Sequence, residues 1–212
     1  MKNSNVFIFG DSYSTFIGYI PDGYAPYYTG TRTKGPDMRG VEDTWWHKAI
    51  TETSSALVQN NSWSGSTVCH TGYNGADTSS TSSFVCRFDK LKNEGFFRSN
   101  AIDTVLIFGG TNDNWANSPV GELKFSDWEK SDLYALLPAL CYILDGLKAE
   151  LPDAKVACII NSDLKPEVVG GIKSAAEHYG AVPIALHDIE KLNGHPTVNG
   201  MEQIKEQVLA AL

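Results

Sequence analysis

No stretch of about 18 consecutive apolar residues occurs in this 212-residue chain, so the sequence offers no membrane-spanning helix. Basic residues are few, 17 against 25 acidic ones, and nowhere form a run. With a formal net charge of -8, this excludes a nucleic-acid-binding surface. Cysteine is limited to Cys69, Cys86, Cys141 and Cys158, and none forms a CxxC pair. Cys158 lies in an apolar strand-like run and Cys141 on a helix-like stretch, which predicts small, reduced core residues. The start, Met1-Lys2-Asn3-Ser4-Asn5, lacks the apolar core and small-residue cleavage site of a secretory leader, so a cytoplasmic setting is expected. His47, His70, His178 and His187 show no ligand spacing with cysteines or carboxylates, and no metal is expected. Repeats and low-complexity linkers are also missing, which predicts one domain over residues 1–212.

What is present is a regular alternation. Five short apolar runs, 5–9, 56–60, 102–108, 155–160 and 182–186, are separated by helix-like segments. Their continuous apolar character fits parallel strands covered on both faces. Between them, Leu133, Leu136, Leu137, Leu140, Leu144 and Leu147 recur at helical steps across 131–150, with Pro138 predicting a kink or a late start. Pro166 suits a first helical turn and Gly180 a helix stop. Met201, Ile204, Val208 and Leu212 mark a last helix. This order predicts a three-layer α/β/α sandwich with a parallel sheet and right-handed crossovers. Two irregular insertions, 13–40 and 66–83, follow strand ends and are expected to overhang the same sheet edge.

The chemistry-bearing residues fall at those strand ends. Gly10-Asp11-Ser12-Tyr13 follows the first run. Asn60-Asn61-Ser62-Trp63-Ser64-Gly65-Ser66-Thr67 follows the second, Gly109-Gly110-Thr111-Asn112-Asp113 the third, and His195-Pro196 comes after the fifth. Open parallel sheets gather their ligands at the carboxyl edge. Acyl transfer needs a nucleophilic hydroxyl, a base for its proton and donors for the oxyanion. Ser12 and His195 supply the first two; the Ser12 and Gly65 amides and the Asn112 side chain supply the third. Taken alone, Ser12 in Gly-Asp-Ser reads more readily as a helix cap than as a nucleophile.

Together the four elements resemble the SGNH, or GDSL-type, hydrolase family, with Ser12, Gly65, Asn112 and His195 matching in order over nearly the whole chain. The resemblance implies five parallel strands in the flavodoxin-like order 2-1-3-4-5. It also implies a serine esterase that forms an acyl-enzyme on Ser12, with His195 as base and no cofactor. No Gly-x-Ser-x-Gly elbow is present, which separates the chain from ordinary α/β-hydrolases. One position departs from the family. The residue three before the histidine is usually Asp, and here it is Leu192. Three outcomes stay open: a backbone carbonyl orients His195 in a Ser-His dyad, Asp188 or Glu190 reaches in from the same loop, or the site is weak or inactive. The short Leu-Asn-Gly turn ranks the dyad first.

Several further residues carry a reading. Asp11 is expected to hold the turn by hydrogen bonds, and it joins Tyr13, Trp45 and Trp63 as a candidate for lining the substrate pocket. The tyrosines at 13, 19, 24, 27 and 28 form a cluster suited to stacking on a sugar or holding an apolar acyl chain, or else a self-packed loop. Arg87 is expected to pack or pair at a helix start, or to meet an acidic substrate group. Asn60-Asn61-Ser62 matches a glycosylation acceptor, but its place beside the site argues against modification. The substrate expected is a small acyl ester, with carbohydrate acetyl esters as the specific class. The alternative, motivated by Leu192, is a non-catalytic binding protein on the same fold. A phosphate binder is disfavoured, because neither GxGxxG nor GxxxxGK[ST] occurs.

Overall fold

A computed structural model describes residues 1–30 and 37–212. Residues 31–36 of the first insertion lie outside the described residues. Five strands, β1 (Asn5–Gly10), β2 (Ala56–Ser62), β3 (Thr104–Phe108), β4 (Lys155–Ile160) and β5 (Val182–Ala185), form one parallel sheet in the order β2-β1-β3-β4-β5. The strand runs are apolar throughout because both faces of the sheet are covered. Phe7, Phe9, Val105, Ile107, Cys158 and Ile160 face one core. It is closed by α2 (Phe84–Asn93), α3 (Phe96–Ser99), α5 (Leu136–Glu150) and α6 (Pro166–His178). The alternate residues Val6, Ile8, Leu106, Phe108, Ala157 and Ile159 face the other core, with α1 (Trp45–Glu52) and α7 (Val198–Ala211). Successive residues of a strand point to opposite faces, so one run feeds both layers.

Apart from one-residue differences at β1 and β5, the expected boundaries shift at three places. The strand read as 56–60 continues through Ser62, because β1 still offers ladder partners: Phe9 pairs with Asn61 and Gly10 with Ser62. The helix read over 131–150 starts late, at Leu136, one of the two outcomes expected from Pro138, which sits in its first turn, where a missing N–H costs nothing. The run read from 102 becomes strand only at Thr104. As expected, Pro166 opens α6, and Gly180, with φ +72, follows its end. The sequence did not suggest α4 (Thr111–Ala116), nor the two-residue ribbon of β6 (Lys191–Leu192) and β7 (His195–Pro196). Asn193 and Gly194 turn that ribbon with φ +52 and +79, the paired positive values of a tight hairpin.

All four cysteines are free thiols. No helix among the described residues is long and apolar enough to cross a membrane. The described residues hold no cluster of three or more His, Cys, Asp or Glu side chains suited to a metal.

Candidate active site

The carboxyl ends of β1, β2 and β3 and the ribbon after β5 meet at one edge of the sheet. At the end of β1 the chain must turn tightly. A Cβ on Gly10 would fall 2.5 Å from Ser62 Oγ and 2.8 Å from Ser14 Cβ, so only glycine fits. Asp11 then caps a short 3-10 turn, accepting the Tyr13 amide at 3.0 Å, and the turn presents Ser12. Ser12 Oγ lies 3.0 Å from His195 Nε2. His195 Nδ1 lies 3.4 Å from the Asn193 carbonyl, so that nitrogen carries the proton and Nε2 accepts from Ser12.

The donor side is held from below. Gly65 is exposed in the left-handed region, with φ +79. Neither its amide nor that of Ser12 has a hydrogen-bond partner among the described residues. Asn112 Nδ2 donates to Ser66 O at 3.0 Å, which leaves its second proton for the site. The Tyr73 hydroxyl donates to Asn112 Oδ1 at 2.7 Å and fixes which way the amide points. Asp113 accepts the Val68 amide at 2.8 Å and the Cys69 amide at 3.2 Å, tying the loop after β2 to α4. Arg87 is fully buried on α2. It donates to Asn61 O and Oδ1, to Gly10 O at 3.2 Å, to Ser66 Oγ at 3.1 Å and to Ser82 O at 2.9 Å. Phe84 and Phe9 cover its faces. It is thus a clamp under the strand ends and is not open to a substrate.

Burial sets the charges here. It pushes the Asp11 carboxyl up to about 7 and that of Asp113 to about 6, and it lowers the Arg87 guanidinium to about 9. His195 is lowered to about 4, chiefly by desolvation. The Asn193 carbonyl opposes this shift, and the Lys191 ammonium adds to it. The imidazole is therefore neutral, the form a general base requires, throughout the neutral range.

Five of the candidates are corrected by their placement. Trp45 is not a pocket residue: it is fully buried in the core between α1 and the sheet, with its indole N–H on Ser14 Oγ at 3.2 Å. Asp11 and Tyr13 are likewise buried, so neither lines an accessible pocket. Asp188 and Glu190 do not reach His195. The Asp188 carboxylate sits 3.0 Å from His187 Nδ1 in the open. Glu190 accepts from Thr197 Oγ1 and Asn199 Nδ2 at the start of α7. Asn60 is buried, its side chain amide donating to Ser14 O, and is closed to glycosylation.

Other residues take places of interest. Trp63 packs against Tyr24 at a tilt of 33°, with ring centroids 4.3 Å apart. Trp115 and Tyr73 stand exposed beside the site, and Trp115 lies 5.8 Å from the His195 ring. The sequence reading missed both. Trp115 had a usable signal, since it falls three residues after Asn112 on the same short helix. Tyr73 had none. Within the tyrosine cluster, Tyr27 stacks flat on the His195 ring, while Tyr13 and Tyr28 lie buried beneath the ribbon.

Comparison with known proteins agrees with this geometry. The GDSL-like lipase/acylhydrolase family model matches residues 4–212. A Bacteroides ovatus protein assigned as a GDSL-like lipase is 43% identical over 99% of this chain and 98% of its own, with a TM-score of 0.91. A Bacteroides uniformis protein assigned in the same way is also 43% identical, over 99% of this chain and 95% of its own, with a TM-score of 0.90. A family two carbohydrate esterase from Cellvibrio japonicus, 14% identical and covering 62% of its own chain, shares the fold with a TM-score of 0.63. No curated protein matches the sequence.

Proposed function

The chain belongs to the GDSL-like lipase/acylhydrolase family, and on that premise we propose that it is a serine esterase acting through an acyl-enzyme on Ser12. The observation that carries this reading is the 3.0 Å contact between Ser12 Oγ and His195 Nε2. In the first step Ser12 Oγ bonds to the ester carbonyl carbon while its proton passes to His195 Nε2 and the carbonyl electron pair moves onto oxygen. The Ser12 amide, the Gly65 amide and the free proton of Asn112 Nδ2 are the donors for that oxygen. On collapse, the C–O bond to the alcohol breaks and His195 returns the proton to it. Water, deprotonated by the same imidazole, then releases the acid and restores Ser12.

The substrate class proposed is small acyl esters, with acetylated carbohydrates as the specific candidate. Exposed Trp115 and Tyr73 at the rim are suited to covering the flat face of a sugar ring. A binding role without turnover is the second reading, favoured by the lack of a carboxylate at His195 Nδ1 among the described residues. Hydrolysis of p-nitrophenyl acetate separates the two. Wild-type protein is expected to turn over, and Ser12→Ala to lose about three orders of magnitude or more in kcat/KM. Turnover that survives Ser12→Ala removes Ser12 as nucleophile. No turnover on a broad ester panel, with no fluorophosphonate labelling of Ser12, favours binding alone.

A further inference from the structure

We propose that Tyr27 is the positioning residue of His195, holding the imidazole plane where a triad would use a carboxylate, while the Tyr13 and Tyr28 hydroxyls fasten the ribbon that carries the ring. The inference rests on the esterase reading of the same site.

The Asn193 carbonyl is a poor holder for His195. At 3.4 Å its contact to Nδ1 is a long hydrogen bond, enough to set the tautomer but a weak hold on the ring plane. The ring is held instead from its face. The Tyr27 ring lies parallel to it, with centroids 3.5 Å apart and an interplanar angle of 8°. Tyr27 is itself tied to the nucleophile. Its amide donates to Thr15 Oγ1 at 2.8 Å, and the Thr15 hydroxyl donates to Ser12 O at 3.1 Å. One short chain of contacts thus fixes the imidazole plane relative to Ser12.

The ribbon is fastened from both sides of the histidine. The Tyr13 hydroxyl donates to Gly194 O at 2.5 Å, and the Tyr28 hydroxyl donates to Pro196 O at 3.1 Å. Gly194 and Pro196 flank His195, so its backbone has little room to swing. The groups facing the imidazole are therefore Ser12, Tyr13, Tyr27, Tyr28, Trp115 and the nearby Lys191 ammonium. No described carboxylate touches it. The stacked phenol also covers one face of the imidazole from water, and burial raises the Tyr27 hydroxyl's own pKa, so it stays neutral beside the ring.

The test compares Tyr27→Phe, which keeps the ring, with Tyr27→Ala and Tyr27→Leu, which remove it. Active protein is counted by endpoint fluorophosphonate labelling, and kcat, KM and the pH profile are measured with p-nitrophenyl acetate. Tyr27→Phe is expected to stay within about twofold of wild type, whereas Tyr27→Ala loses about 10- to 100-fold in kcat with KM little changed. Uncovering the ring also moves the acid limb of the profile upward, toward an ordinary imidazole. Tyr27→Leu, which preserves apolar volume, gives the same kcat loss and stands in should the alanine variant not fold. An unchanged kcat and acid limb in the ring-less variants overturns the inference, as does a loss in Tyr27→Phe equal to that in Tyr27→Ala. The His195 titration followed by NMR in Ser12→Ala protein, with and without Tyr27→Ala, reads the same contact without turnover. An upward shift there supports the inference even where the esterase reading fails, and no shift overturns it even where that reading holds.

Discussion

The two sides of the site are built by opposite means. The donor side grows from the sheet. Ser12, Gly65 and Asn112 sit on loops that leave β1, β2 and β3, and those loops are locked by buried charge: Arg87 under the strand ends and Asp113 across to the Val68 and Cys69 amides. The histidine side hangs on a two-residue ribbon beyond the last strand, and tyrosines from the insertion after β1 hold it. The sheet side is fixed by many hydrogen bonds from elements that the core itself positions. The ribbon side depends on one inserted segment. Damage to the first is therefore expected to cost the fold, and damage to the second to cost rate.

The strongest way to break the comparison is at Arg87. Arg87→Met keeps much of the volume but takes the guanidinium donors from buried Asn61 and Ser66 and half-buried Ser82, while Gly10 O keeps only the Trp63 amide. Each unsatisfied buried acceptor costs about 1–3 kcal/mol, so the variant is expected to lose at least about 3 kcal/mol of stability in urea unfolding. A loss well under that, with activity intact, would show that the sheet side tolerates its clamp being removed. Tyr28→Phe, which deletes one ribbon bond, is the fitting control and is expected to lose about 1 kcal/mol.

A smaller effect concerns pH. Asp11 and Asp113 both carry raised carboxyl pKa values in the fold, about 7 and about 6. Between an ordinary aspartate value and those values the native state keeps protons that the unfolded chain has already released. By linkage, stability falls as pH rises through that window. Asp11 Oδ2 has no hydrogen-bond partner among the described residues, so ionisation there is poorly compensated. Asp11→Asn keeps an acceptor for the Tyr13 amide and is expected to flatten the fall in unfolding free energy between about pH 4 and 7. An unaltered slope would assign the pH dependence elsewhere.

The same division explains what could be read in the sequence. Parallel strands buried on both faces announce themselves as short apolar runs, so the sheet and the loops at its carboxyl edge were legible, while the strand order came only with the family resemblance; Ser12, Gly65, Asn112 and His195 do converge on one edge. Boundaries failed where pairing decided them: Asn60, Asn61 and Ser62 are polar, yet β1 still had ladder partners to offer. Candidate pocket residues failed where burial decided them. An indole such as Trp45 fills core or rim equally well by composition, and only the packing of α1 against Phe108 separates the two. The tyrosine cluster was visible as a cluster. Its partner was not, because the contacts join residues more than 160 positions apart and follow no period.

The finest test sits at Leu192, where the family's usual carboxylate is absent. Leu192 pairs directly with His195 across the ribbon and is half exposed on the same face. Cross-strand partners place their Cβ atoms about 4.5–5.5 Å apart, so an aspartate at 192 can approach Nδ1 and compete with the distant Asn193 carbonyl. A negative charge there favours the imidazolium, so Leu192→Asp is expected to move the acid limb of the pH profile upward from its depressed position. At neutral pH, however, kcat is expected to change by less than about threefold, because the ring already has its orientation from Tyr27 and its correct tautomer from the turn. In a Tyr27→Ala background the same substitution should recover part of the lost rate, since carboxylate and ring face then serve one purpose in turn. A gain of orders of magnitude in the otherwise wild-type protein would mean that the tyrosines hold the ribbon but leave the imidazole free, and the histidine side would then be the unfinished half of the site.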